Sequence, residues 1–205
     1  EGAAAFAATA FGKLTGGLAG CFGIAGPGST NPLTGLYDAK ADRAPVLAIS
    51  GQVPSSVKRR GAFQDLDLES AFDDVAAYSE TVHATSNHAE LMSLACKHAI
   101  VGRDVAHLVL PDEVQVQPVG DAPAGGPAGR VGVTSVAPEP DELARAVALL
   151  AEARRPMIVV GAGSRFDMGP IITLAERLGA PIATTFKAKG QIPDTHPLGC
   201  GVLGH

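Results

Sequence analysis

Pro45-Val46-Leu47-Ala48-Ile49-Ser50 is a strand-length run with no alternation between apolar and polar positions. A strand with one wet face alternates, and a strand buried on both faces reads apolar throughout. Val105-Ala106-His107-Leu108-Val109-Leu110 repeats the pattern and stops at Pro111. Two such runs separated by a helix of ordinary length predict a parallel sheet with helices on both faces. That helix spans 87–102. Asn87 supplies a cap oxygen, Glu90 follows three residues later as in a capping box, and Leu91, Leu94, Ala95 and His98 share one face.

Upstream, residues 2–14 are small and helix-permissive, and Thr15-Gly16-Gly17 closes them. Residues 18–24 read as a short buried strand. Gly26-Pro27-Gly28 is a turn, Ser29-Thr30-Asn31 offers cap oxygens, and a helix follows over 33–41 with Pro32 in its first turn. Residues 51–67 form a polar loop containing Lys58-Arg59-Arg60. Downstream, Pro118, Pro123, Pro127 and Pro138 with Gly125, Gly126 and Gly129 have linker composition over 117–138. A helix over 139–154 follows, with Leu143, Val147 and Leu150 on one face. A strand at 157–160 then runs into Gly161-Ala162-Gly163. A helix over 170–178 and a strand over 181–185 complete a second α/β alternation.

The composition narrows the function. The 205 residues carry 16 basic and 21 acidic side chains, a net charge of −5, and this argues against a surface built to neutralise phosphates of a nucleic acid. Aromatic residues make up 4% and tryptophan is absent, so base-stacking platforms are not expected either. With 25 glycines and 15 prolines, Gly and Pro make up about a fifth of the chain against roughly 12% in average proteins, so many turns are specified. Cys21, Cys96 and Cys200 form neither a disulfide framework nor a metal spacing, which fits a reducing cytoplasm. No apolar run approaches a membrane span, and a zinc site is not expected from His83, His88, His98 and His107. Neither a serine nucleophile elbow nor a P-loop is present. Gly161-Ala162-Gly163 departs from the dinucleotide fingerprint at Phe166, so by itself it reads as a tight turn at least as readily as a phosphate cradle. Gly26-Pro27-Gly28 carries the same two readings, and Phe63-Gln64 reads by itself as a hydrophobic plug with a solvated amide.

The motifs acquire a direction from their order. Glu1-Gly2-Ala3-Ala4-Ala5-Phe6, Lys13-Leu14-Thr15-Gly16, Gly26-Pro27-Gly28-Ser29-Thr30-Asn31, Gly35-Leu36-Tyr37-Asp38-Ala39, Gly51-Gln52-Val53-Pro54 and Gly61-Ala62-Phe63-Gln64-Asp65 succeed one another. This series resembles the pyrimidine-binding domain of thiamine-diphosphate enzymes, in the pyruvate oxidase and acetolactate synthase branch. The stretch from Leu143 through Gly161-Ala162-Gly163 and Phe186-Lys187-Ala188-Lys189-Gly190 to Gly201-Val202-Leu203-Gly204 is similar to that branch's central domain.

The resemblance implies an α/β chain of two three-layer, parallel-sheet domains: a pyrimidine-binding domain over 1–116 lacking its first strand, a linker over 117–138, and the start of a Rossmann-like central domain over 139–205. Both domains are expected to be incomplete and the piece alone inactive. It implies that Glu1 bonds N1′ of the aminopyrimidine. A carboxyl group in an apolar setting has a raised pKa, which suits proton sharing there. Pro27, Gly28 and Asn31 match the turn beside the pyrimidine, and Phe63 and Gln64 match a pair lining the substrate pocket. Gly161, Gly163, Arg165, Lys187 and Gly190 occupy positions matching an FAD site. The expected cofactors are thiamine diphosphate, Mg²⁺ held by residues beyond this stretch, and FAD. The expected activity is decarboxylation of a 2-oxo acid, pyruvate first, with electrons passed to FAD and then to quinone or oxygen. The expected assembly is a cytoplasmic homodimer or homotetramer sharing its active site between chains. An acetolactate synthase-like carboligase and a non-catalytic nucleotide-binding homologue are the alternatives.

Overall fold

The computed structural model describes residues 1–118, 130–132 and 135–203. The chain divides into two compact units, Glu1–Thr134 and Ser135–His205. Most of the proline- and glycine-rich linker expected over 117–138 lies outside the described residues.

In chain order the first unit runs α1 (Gly2–Thr15), β1 (Ala19–Gly23), α2 (Pro27–Thr30), α3 (Leu33–Ala41), β2 (Val46–Gln52), α4 (Leu68–Phe72), β3 (Tyr78–Thr81), α5 (His88–Gly102), β4 (Val105–Pro111) and α6 (Asp112–Gln115). Its four strands are parallel, in the order β1-β2-β4-β3. The two continuous apolar runs are the central strands, and the pleat explains why both read apolar. Val46, Ala48 and Val105 pack with Ala5, Ala8, Leu36 and Ala39 of α1 and α3 on one face. Leu47, Ala106 and Leu108 pack with Ala95 and Ala99 of α5 on the other. Each face needs its own helical cover, so the alternation yields three layers.

Small residues set the layer spacing. At Gly35 of α3 an added Cβ would lie 2.8 Å from the Ala5 Cβ and 2.9 Å from the Phe6 backbone nitrogen, so α1 and α3 cross almost backbone to backbone. Lys13 of α1 ties the pair further, reaching Asp38 at 2.7 Å and Asp42 at 2.6 Å. Gly16 ends α1 in the left-handed region, φ 72°, its N–H donating to the Gly12 carbonyl. Asn87 caps α5 as its sequence predicts, its side chain accepting from the Glu90 N–H at 3.2 Å.

Two expectations are corrected. The strand read over 18–24 is an edge strand in which only Cys21 is buried. Phe22, on the face opposite Cys21, is 79% exposed and is not part of the cluster that packs under α5. Ser29 and Thr30 do not cap α3: their hydroxyls donate back to the Ile24 and Pro27 carbonyls and close the short α2 instead. In the second unit, the apolar face of the helix following the linker is not buried among the described residues. No residue of α7 (Pro140–Glu152) is buried there, and Leu143 and Val147 are more than half exposed.

The second unit continues with β5 (Ile158–Val160), a 3₁₀ turn (Ala162–Ser164), α8 (Met168–Leu178), β6 (Ile182–Thr184), a second 3₁₀ turn (Phe186–Ala188) and β7 (Gly199–Val202). The strands are parallel, in the order β5-β6-β7. Val160, Ile182, Ala188 and Ile192 pack with Ala175, Ile171 and Ile172 of α8. The chain is therefore α/β with parallel sheets, as its sequence predicts. Among the described residues no helix is long and apolar enough to cross a membrane.

Candidate functional site

A parallel sheet points the carboxyl ends of its strands the same way, and ligands of open α/β sheets gather there. In the first unit that end holds a cleft of about 610 Å³, lined by residues 22–25, by Ile49 and 51–54, and by Gln64, Leu110, Asp112 and Gln115. Most of its lining is apolar, with three glutamine amides and Asp112 as the polar groups, the usual composition of a small-molecule site.

The turn 26–28 follows β1 at the same end, and close packing dictates its glycines. An added Cβ on Gly28 would lie 2.5 Å from Ile24 Cγ2 and 3.3 Å from Glu1 Oε1. The missing side chain therefore lets the Glu1 carboxylate approach the turn. Glu1 Oε2 also accepts from Asn31 Nδ2 at 3.3 Å. Gly26 has φ 72°, and an added Cβ there would lie 2.7 Å from the Gln64 Cβ. One glycine of the turn thus meets Glu1 and the other meets Gln64. Pro27 begins α2, where its missing N–H costs nothing.

Phe63 and Gln64 are the central residues of a four-residue turn closed by the Asp65 N–H donating to the Ala62 carbonyl at 3.2 Å. Gln64 has φ 65°, the sign a type II turn needs at its third position and that glycine usually supplies. Its side chain lines the cleft, while Phe63 is 87% exposed. Phe63 is therefore no hydrophobic plug, which corrects that part of the isolated expectation. Lys58-Arg59-Arg60 lies in the same loop. Arg59 pairs with Asp67 at 3.3 Å, and its N–H bonds Asp65. Glu1 is exposed, so among the described residues its carboxylate has no apolar enclosure.

In the second unit, Gly161 and Gly163 follow β5 and Gly190 follows the second 3₁₀ turn. An added Cβ at each of the three would meet nothing within 4 Å. Gly190 needs glycine for its φ of 89°, whereas Gly161 has an ordinary φ of −103°. No contact within the unit therefore requires glycine at 161, and space lies open beside the turn. The Arg165 guanidinium sits 4.9 Å from the centre of the exposed Phe166 ring, and Ser164 Oγ donates to Gln191 Oε1 at 2.9 Å across the two turns. Lys187 lies within the second 3₁₀ turn.

Two features escaped the sequence reading. His107 is fully buried in β4, bonded to Ser50 Oγ through Nε2 and to Ser79 Oγ through Nδ1, each at 2.8 Å. Its ring stacks on Phe72 at 3.6 Å between centroids. Burial pushes its pKa down to about 3, so it is a neutral bridge across three strands. The available signal was a single imidazole inside an otherwise aliphatic run. The second is Gln52, buried at the end of β2, whose Nε2 donates to the Leu66 carbonyl across a loop. Among the described residues no cluster of His, Cys, Asp or Glu is arranged to hold a metal ion.

Comparison with known proteins matches two stretches of the chain. Residues 1–71 match the model of the thiamine pyrophosphate enzyme N-terminal TPP binding domain, and residues 143–205 match that of the thiamine pyrophosphate enzyme central domain. A putative thiamine pyrophosphate-containing protein YdaP of Bacillus subtilis (strain 168) is 38% identical over 100% of this chain and 35% of its own length. Pyruvate oxidase of Lactiplantibacillus plantarum is 34% identical over 96% of this chain and 33% of its own. A probable acetolactate synthase large subunit of Methanococcus aeolicus is 31% identical over 100% and 35%. The chain spans about a third of the length of these relatives.

Proposed function

The chain belongs to the thiamine pyrophosphate enzymes, carrying sequence of their N-terminal and central domains, and from that premise we propose that the complete protein decarboxylates a 2-oxo acid, pyruvate first, and passes the electrons to FAD and on to quinone or oxygen. The observation that carries the reading is the turn 26–28 with Glu1 against one glycine and Gln64 against the other.

The residues present fit the cofactor's pyrimidine. Glu1 would exchange a proton with a ring nitrogen of the pyrimidine, and its carboxylate accepts from the Asn31 amide, which would orient it. Gly28 leaves room for close approach, and Pro27 stiffens the turn. When bound, thiamine diphosphate supplies the electron sink for carbon dioxide loss. Gln64 lines the cleft, and its amide would offer N–H groups to an oxygen that gains charge in the reaction. Enclosure of Glu1, now exposed, falls to surfaces contributed by the rest of the protein or by a second copy. Exposed Phe6 and Phe11 on α1, Phe22 on β1 and Ile24 just beyond it support a homodimer or homotetramer with a shared site.

The open turns of the second unit fit FAD. Backbone at Gly161 and Gly163 leaves space for a phosphate to approach, Gly190 shapes the second turn, and Arg165 and Lys187 supply positive charge. Mg²⁺ is read as bound by residues outside 1–205. Relatives named acetolactate synthase support the second reading, a carboligase in which the flavin is structural.

The test is Glu1→Gln in the complete polypeptide, assayed for carbon dioxide release from pyruvate with thiamine diphosphate and Mg²⁺. The expected loss is about 100-fold or more, the ordinary size of an acid–base contribution. Wild-type rates in that variant would remove Glu1 from the chemistry.

A further inference from the structure

Gln64 occupies a left-handed backbone position without being glycine, and such a residue persists only where its surroundings hold it. One side of the hold is Gly26, packed against its Cβ. The other runs through Gln52. This side chain is 3% exposed at the carboxyl end of the central strand β2 and lines the same cleft. Its Nε2 donates to the Leu66 carbonyl at 2.8 Å, two residues beyond Gln64, while its Oε1 accepts from its neighbour, the Val53 N–H, at 2.9 Å. Both ends of the amide are therefore engaged, and its orientation is fixed. The strand partner of Gln52 is Pro111, which has no N–H to offer. Sheet pairing thus runs out where the side chain takes over and ties the sheet to the loop. At the start of the loop, both Glu113 oxygens accept from the Ser55 N–H at 3.2 Å.

We propose that Gln52 is a positioning residue whose buried amide holds the loop so that Gln64 keeps its left-handed backbone and faces the cleft. The kinetic consequence rests on the reading of Gln64 as a substrate-facing amide; the structural consequence does not. Removing the amide leaves the Leu66 carbonyl without this donor and frees the 61–66 segment to relax away from the cleft. Misplacement of a catalytic group by about 1 Å can cost up to 10²-fold in rate.

The experiment uses Gln52→Met, of similar length but without an amide, in the complete polypeptide. Lys58-Arg59-Arg60 makes the loop its own tryptic reporter. Cleavage there is expected to accelerate about tenfold while cleavage elsewhere is unchanged, as local release without global opening requires. The kcat/KM for pyruvate is expected to fall about tenfold, and in a Gln64→Ala background the further loss is expected to be under about twofold, because residues acting as a unit are non-additive. Unchanged loop cleavage overturns the proposal whatever the kinetics, and so do fully additive losses. Faster cleavage with no kinetic effect of Gln64→Ala keeps the clamp and overturns the substrate-facing reading instead. Gln52→Glu, whose carboxylate accepts from Val53 but cannot donate to Leu66, gives the same readouts if the methionine variant does not fold.

Discussion

At the residue scale, two side chains hold unusual positions for opposite reasons. Gln64 sits where glycine is easier. A left-handed conformation costs a residue with a Cβ about 1–2 kcal/mol, and glycine loses about 0.5–1 kcal/mol in chain entropy on folding. Gln64→Gly is therefore expected to leave stability unchanged or raise it by up to about 1.5 kcal/mol while lowering turnover. Urea denaturation and steady-state kinetics on the same preparation check this, and a stability loss with full activity would make the glutamine structural. His107 is neutral for the opposite reason, full enclosure. Its folded pKa of about 3 lies below the ordinary histidine value of 6.5, so between these limits the unfolded chain binds the extra proton. Stability from this group is complete above pH 6.5 and is lost as pH falls toward 3, at up to about 1.4 kcal/mol per pH unit. Denaturant midpoints from pH 7 to 4 should fall steeply in the natural protein. In His107→Phe that limb should flatten; parallel profiles would mean that His107 does not carry the dependence.

At the scale of elements, legibility followed how much of an element's pattern came from its own neighbours. Both central strands and α5 are readable, because burial on two faces and a capping asparagine leave local signatures. The edge strand β3 and the helix α4 before it went unread. Tyr78-Ser79-Glu80-Thr81 has no apolar face, and Leu68–Phe72 is too short to show a period. β7 is Gly-Cys-Gly-Val, paired with β6 and exposed at three of its four residues. Gln52 and His107 were unread for a related reason: each acts through residues 14 to 57 positions away, which spacing does not reveal. The candidate turn 26–28 was legible as a motif, but the contacts that use it come from residues at 1 and 64. Two substitutions test the element account by calorimetry. Gly35→Ala gains about 1 kcal/mol of helix propensity, but its Cβ meets backbone that cannot yield. Overpacking costs about 1–3 kcal/mol, so net destabilisation is expected. Asn87→Ala is expected to cost about 1 kcal/mol through the lost cap. A stabilised Gly35→Ala would mean α1 and α3 are farther apart than described.

At the scale of the whole molecule, the two units do different chemical work in the proposed reaction. The first gathers a carboxylate, a glycine turn and an amide at the carboxyl ends of its strands. The second leaves two turns open after its own strands. Large apolar side chains stay exposed on α1, β1 and α7, a pattern expected of units that meet further surfaces in a larger protein. In the proposed reaction, electrons from a decarboxylated 2-oxo acid reach a flavin held by the second unit. The most direct test is the visible absorption spectrum of the complete polypeptide with thiamine diphosphate and Mg²⁺, recorded before and after anaerobic addition of pyruvate. Flavin bands that bleach are the predicted result. Bands that persist while carbon dioxide is released, or no flavin bands at all, would contradict the oxidase account.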